Sequence, residues 1–206
     1  MNDKRLKEIL DKIDLNRQLK QIYDSKWHKI VNFLYNNTGL KIAKIAKSGS
    51  YPKHTEYRDS DLDVIFCTSP DYYLRYIQEL IRDKAYDIFG RIANINIGNK
   101  AVHVDFINPN CDVDIVYLSQ TQFDKECLEI KNIKSIEQLQ RDSIKLAKYA
   151  LDKAGIKKVK GYQVEKACIQ FDYDSLSEYT LHNIKHFTGI IREYGLTLDD
   201  VLKHLA

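Results

Sequence analysis

No stretch of this sequence approaches the ~18 consecutive apolar residues that a membrane-spanning helix requires. The first residues, MNDKRLKEILDKIDLNRQLK, are charged from the outset, unlike a secretory leader. A cytoplasmic protein with no membrane role is the expectation. Cysteine is sparse: Cys67, Cys111, Cys127 and Cys168 form neither a C-x-x-C pair nor a zinc-ligand spacing. That argues against a disulfide framework or a structural zinc and for reduced, mostly buried thiols. The 3 prolines and 8 glycines are too few and too scattered for a flexible linker, and neither repeats nor low-complexity tracts occur. Neither sign of charge dominates. Lys and Arg number 32 against 29 Asp and Glu, a net charge of +3. This mild basic bias permits a phosphate-bearing partner without establishing a nucleic-acid binder. The six histidines show no spacing suited to a metal, and His54 offers at most a phosphate contact.

What is present is enough apolar material, 44% of 206 residues, for one core or one core with a small helical annex. Apolar residues recur at helical spacing from Asp3 to about Asn37, which reads as one or two long helices. LKIAKIAKSGS then alternates as a short strand running into the turn Gly49-Ser50, and DLDVIF gives a second strand. Period two places Leu62, Val64 and Phe66 on one face and Asp61, Asp63 and Ile65 on the other. A helix over Asp71–Ile88 follows, then three short β-runs divided by Gly98-Asn99 and Asn108-Pro109-Asn110, an antiparallel meander. In the third run Asp112 and Asp114 share a face opposite Val113, Ile115 and Tyr117. From Ser135 onward the pattern is helical: Ile136–Ala154, Gly161–Phe171, Ser175–Tyr194, and a last short helix after a Thr197/Asp200 capping box. Strands give way to helices between Gln120 and Ile136.

Aspartates converging from neighbouring strands repel one another, and burying an unpaired carboxylate is costly, so the pattern calls for a cation. Mg2+ fits, since it takes hard oxygen ligands, commonly one or two carboxylates plus nucleotide phosphates. Gly49 would let backbone approach a phosphate, and the Ser50 hydroxyl could donate to it. Asp61 and Asp63 are therefore candidate metal ligands facing a nucleotide; Asp105, Asp112 and Asp114 compete for a third place.

GSYPKHTEYRDSDLDVIF resembles the nucleotidyltransferase signature of the DNA polymerase beta superfamily: Gly-Ser, a spacer, Asp-apolar-Asp-apolar, and a third Asp on a later strand. The likeness is to the branch holding archaeal CCA-adding enzymes, oligoadenylate synthetases and bacterial cyclic-oligonucleotide synthases. It extends from about Ile9 to Tyr173. CDVDIVYL carries the third aspartate to Asp114. SIKLAKYALDKAGI resembles the branch's spine helix, matching its triphosphate-binding lysine to Lys148, with Lys145 one helical step away. GYQVEKACIQFDY matches the segment that follows, where Tyr162 and Glu165 read as structural.

The resemblance implies an α+β fold: a nucleotidyltransferase core, with a mixed or antiparallel sheet and flanking helices, plus a C-terminal helical annex. Residues 1–125 would form the core with its N-terminal helix and 126–206 the annex closing the nucleotide cleft. It implies catalytic and metal-binding roles for Asp61, Asp63 and Asp114, nucleotide binding by Gly49, Ser50, Lys145 and Lys148, and two Mg2+ ions, with Mn2+ as a substitute. The implied activity is template-independent transfer of an NMP from an NTP to an acceptor hydroxyl with release of pyrophosphate, first of all on an RNA 3' end. Linear or cyclic oligonucleotide synthesis, transfer to a protein, or a turnover-deficient nucleotide-binding protein are the alternatives. Oligomeric state is left open.

Overall fold

The computed structural model describes residues 2–57, 60–107, 110–169 and 172–206. It divides into two compact units: one drawn from the described residues of 15–53 and 59–131, the other from those of 1–14, 54–58 and 132–206.

The first unit is built on a five-stranded sheet of order β1-β2-β5-β4-β3. Its strands are β1 (Ile42–Ser48), β2 (Leu62–Thr68), β3 (Ala93–Ile97), β4 (Ala101–Ile107) and β5 (Asn110–Tyr117). β3, β4 and β5 form the expected antiparallel meander, β1 pairs antiparallel with β2, and β2 and β5 run parallel. Helices α2 (Arg17–Asn37) and α3 (Leu74–Phe89) bury one face. There Leu62, Val64, Phe66, Val102, Val104, Val113 and Ile115 join Ile30, Phe33, Leu34, Ile77 and Ile81 in one core. α2 starts where the Asn16 side chain accepts from Leu19 N (2.8 Å) and stops at Thr38, whose hydroxyl takes the Leu34 carbonyl (2.7 Å), ahead of Gly39 at φ +70°. The opposite face is apolar at one end, where Ile65 and Cys67 meet Phe123 of α4 (Gln120–Lys134). The sequence pattern did not predict α4, because its apolar positions form no continuous stripe: Phe123 is buried while Leu128 is exposed.

The second unit is helical. Its hub is α5 (Gln138–Lys153), whose Ile144, Leu146, Ala147, Ala150 and Leu151 are buried among α6 (Gly161–Ile169), α7 (Leu176–Lys185), α8 (Thr188–Glu193) and α9 (Leu198–Leu202). The last residues expected in α6, up to Phe171, lie outside the described ones. Thr197 and Asp200 form the expected capping box. The single helix expected over Ser175–Tyr194 is two, α7 and α8. The chain tightens where Phe187 N bonds Ile184 O, and the Thr188 hydroxyl takes the Lys185 carbonyl (2.6 Å). The N-terminal helix α1 (Asp3–Ile13) belongs here rather than with the sheet, where the division at 125/126 had placed it. Leu6, Ile9 and Ile13 enter the helical core, and the Asp3 carboxylate accepts from the amides of Leu176 (3.3 Å) and Ser177 (2.9 Å) at the start of α7. The four cysteines are free thiols, three of them buried. Among the described residues no helix is long and apolar enough to cross a membrane.

Candidate active site

Residues opposite one another on adjacent strands share a face, so the register places one row of side chains across the sheet. It runs Ser48 on β1, Asp63 on β2, Asp114 on β5, His103 on β4 and Asn96 on β3. The next row holds Asp112, Asp105 and Asn94, with Asp61 just ahead of β2. The polar end of the face begins where the apolar pairs Ile65–Val116 and Ala101–Val116 stop. Asp114 is thus the direct neighbour of Asp63, whereas Asp105 pairs with Asp112 and is separated from β2 by β5.

Burial and mutual repulsion act on these carboxyls as expected for like charges without a counter-ion. Asp63 is pushed up to about 7, first by burial and then by Asp114 and Asp61. Asp61 rises to about 6, again by burial first, then by Asp114 and Asp112. Asp105 is raised less, by burial and Asp112.

Gly49 stands against Asp63. Its backbone is left-handed at φ +67°, and a Cβ there would lie 1.7 Å from Asp63 Oδ2. Glycine is therefore required twice, by conformation and by contact with the carboxylate. Gly49→Ala is expected to cost about 1–2 kcal/mol in backbone strain and to displace the Asp63 carboxylate. A thermal melt beside that of the unaltered protein measures the strain.

Ser50 follows, then a 3-10 turn over Tyr51–Lys53 in which Lys53 N bonds the Ser50 carbonyl (3.2 Å). Tyr23 donates its hydroxyl to the Ser60 carbonyl, anchoring the entry to β2. Three groups flanking Asp63 and Asp114 escaped the sequence reading. Ser48 donates to Glu126 Oε1 on α4 (2.7 Å), the buried Lys53 ammonium lies 3.9 Å from the same oxygen, and His103 Nδ1 meets Asp114 Oδ1 (2.6 Å). Only the alternation of AVHVDF, which puts His103 and Asp105 on one face, could have drawn attention to the histidine.

The two lysines assigned to the nucleotide lie in the helical unit and have carboxylate partners there. Lys148 Nζ is 2.7 Å from Glu165 Oε1 and 3.1 Å from Thr55 Oγ1, with the Lys148 and Glu165 side chains nearly inaccessible. Lys145 Nζ is 2.5 Å from Asp14 Oδ1, tying α5 to the end of α1. Lys157 and Lys158 pair with Asp152 and Glu193 on the surface.

Among the described residues no group of three or more His, Cys, Asp or Glu side chains is gathered so as to hold a metal by itself. The donor chemistry nevertheless fits Mg2+. The Asp63–Asp114 pair offers hard oxygens and excess negative charge, and this ion completes its shell with phosphate and water.

Solved structures share this architecture. CdnC from E. coli MS115-1, in complex with HORMA-deltaN, superposes over 91% of this chain and 71% of its own at a TM-score of 0.67 and 16% identity. The Cid1 poly(U) polymerase bound to MgATP superposes over 90% and 73% at a TM-score of 0.69 and 10% identity. These neighbours are polymerase-beta-type nucleotidyltransferases, and this chain shares their fold. The same nucleotidyltransferase fold is found in the Elizabethkingia meningoseptica CdnE cyclic dinucleotide synthase with GTP and Apcpp, matched over 88% of this chain and 89% of that one at a TM-score of 0.59 and 13% identity. No protein-family model and no curated protein matches the sequence. The expected architecture stands: a mixed five-stranded sheet flanked by helices, with a helical extension, matching the core of these neighbours.

Proposed function

We propose that this protein is a metal-dependent nucleotidyltransferase that moves an NMP from an NTP to an acceptor hydroxyl and releases pyrophosphate. The observation that carries the reading is the Asp63–Asp114 pair on parallel β2 and β5, with Gly49 against Asp63.

Asp61, Asp63 and Asp114 would hold Mg2+. When bound, the ion neutralises triphosphate charge and lowers the pKa of the attacking hydroxyl. Gly49 and Ser50 bring backbone and hydroxyl donors to the phosphates. The acceptor oxygen bonds to the α-phosphorus as the bond to pyrophosphate breaks, and the acceptor proton leaves towards the carboxylates. Lys148 is proposed to meet the triphosphate by exchanging its Glu165 contact for phosphate.

An RNA 3' end is the acceptor proposed first, in line with the Cid1 likeness. Oligonucleotide synthesis on nucleotide acceptors is the second reading, supported by the likeness to CdnE over most of both chains. Incubation with labelled NTPs, Mg2+ and either RNA or nucleotides alone, followed by product identification, tests both; absence of pyrophosphate release under every condition would reject the enzyme. Register adds a ranking. Asp114→Asn is expected to lose as much turnover as Asp63→Asn, while Asp105→Asn retains activity within about tenfold, a difference of about 1.4 kcal/mol or less. The reverse order would move the third ligand to β4.

A further inference from the structure

We infer that His103 is the positioning residue for Asp114, and that Gly98 in turn holds the imidazole. This rests on the reading of Asp114 as a metal ligand. A carboxylate can only accept, so Nδ1 carries the proton in the 2.6 Å contact to Asp114 Oδ1. With one lone-pair site of Oδ1 taken by the imidazole, the carboxylate plane is set and Oδ2 is the less encumbered oxygen for a cation. The other end of the ring is also fixed. A Cβ at Gly98 would lie 2.2 Å from His103 Nε2, so the ring packs on the bare backbone of the β3–β4 turn. That turn is closed by Gly98 N on Ala101 O (2.8 Å) and held by the buried Gln78 of α3, which donates to Gly98 O (3.2 Å). The orientation of Asp114 thus passes through His103 and Gly98 to α3. Without it the carboxylate would be free to swing from Asp63, the neighbour that repels it.

Groups that orient a ligand typically contribute about 10–100-fold to metal affinity. The test is Mn2+ alone, titrated into the full chain and followed by electron paramagnetic resonance, with circular dichroism melts as the fold control. His103→Ala is expected to weaken Mn2+ binding by about 10–100-fold. His103→Asn should recover most of this, because its amide nitrogen is as many bonds from Cα as Nδ1. Gly98→Ala should weaken binding in the wild-type background and add nothing in the His103→Ala background, the signature of coupled residues. Should His103→Ala fail to fold, the Gly98→Ala and His103→Asn measurements carry the test. Wild-type affinity in His103→Ala, with affinity lost in Asp63→Asn and Asp114→Asn, overturns the role of His103 and leaves the metal site standing. Unchanged Mn2+ binding in Asp63→Asn and Asp114→Asn, or none in the unaltered protein, overturns the site itself.

Discussion

Asp63→Asn is expected to lower NTP turnover by about 10³–10⁴-fold, or about 4–5 kcal/mol of transition-state stabilisation, and at the same time to raise the melting temperature of the metal-free protein above pH 7. The two effects have one cause. Asp63 lies in the row with Asp114, buried and beside a like charge, which favours the neutral form and moves its titration from 3.8 to about 7. In the unfolded chain it ionises at its ordinary value. Between about pH 4 and 7 the folded state therefore binds more protons than the unfolded one, so metal-free stability falls as pH rises across that window. At 1.36 kcal/mol per unit the full cost is about 4 kcal/mol, and solvent screening reduces it to about half. Asparagine fits the same space without the charge. Its metal-free melting curve should lose the part of the fall that Asp63 contributes, keep the part that Asp61 contributes below about pH 6 and, at pH 8, sit about 5 °C above the parent for about 2 kcal/mol. Mg2+ should stabilise the parent and leave Asp63→Asn unmoved. Thermal melts from pH 4 to 8 with and without Mg2+, alongside pyrophosphate release, make the check. A variant that turns over normally would remove Asp63 from the site.

Lys148→Ala is expected to destabilise the helical unit by about 3–5 kcal/mol, because it removes the ammonium from a buried ion pair with Glu165. For a chain of this length that is a fall of about 10 °C in melting temperature. Thr55, fully buried and hydrogen-bonded to the same Glu165 oxygen at 2.8 Å, cannot compensate, since a hydroxyl supplies one donor and no charge. Gly161, whose Cβ would lie 3.2 Å from Lys148 Cε, shows how closely α6 packs on this side chain. The double variant Lys148→Met, Glu165→Gln removes both charges and keeps the volume. It should recover most of the loss, because a buried ion pair contributes little net stability over an apolar replacement. In that folded background the Michaelis constant for NTP becomes a clean readout of the triphosphate role. A rise of about one to two orders of magnitude is expected from the loss of one charge-assisted contact. An unchanged constant would confine Lys148 to the structure of the helical unit.

The pattern of alternation along a strand is a local property, and it was legible. DLDVIF and CDVDIVYL each place their aspartates on one face because successive side chains point opposite ways, whatever the rest of the chain does. The same holds for the capping box at Thr197 and for the helical spacing of α2, α3 and α5, where apolar residues recur once per turn. These were enough for the α+β architecture and for singling out Gly49, Asp61 and Asp63, whereas the choice of Asp114 over Asp105 and Asp112 came from the family resemblance.

Tertiary structure decided everything that depends on which distant segments meet. Asp114 stands beside Asp63 because β5 enters the sheet parallel to β2, a pairing of residues about fifty positions apart that no local pattern encodes. Asp105, equally acidic and in an equally convincing strand, is left one strand farther away by the same topology. The Lys148–Glu165 and Lys145–Asp14 pairs, the His103 contact to Asp114 and the placement of α1 among the C-terminal helices likewise depend on packing across long loops. Sequence spacing fixes the face a side chain points to; its partner is selected only when chain segments compete for the same buried surface and the closest-packed arrangement prevails.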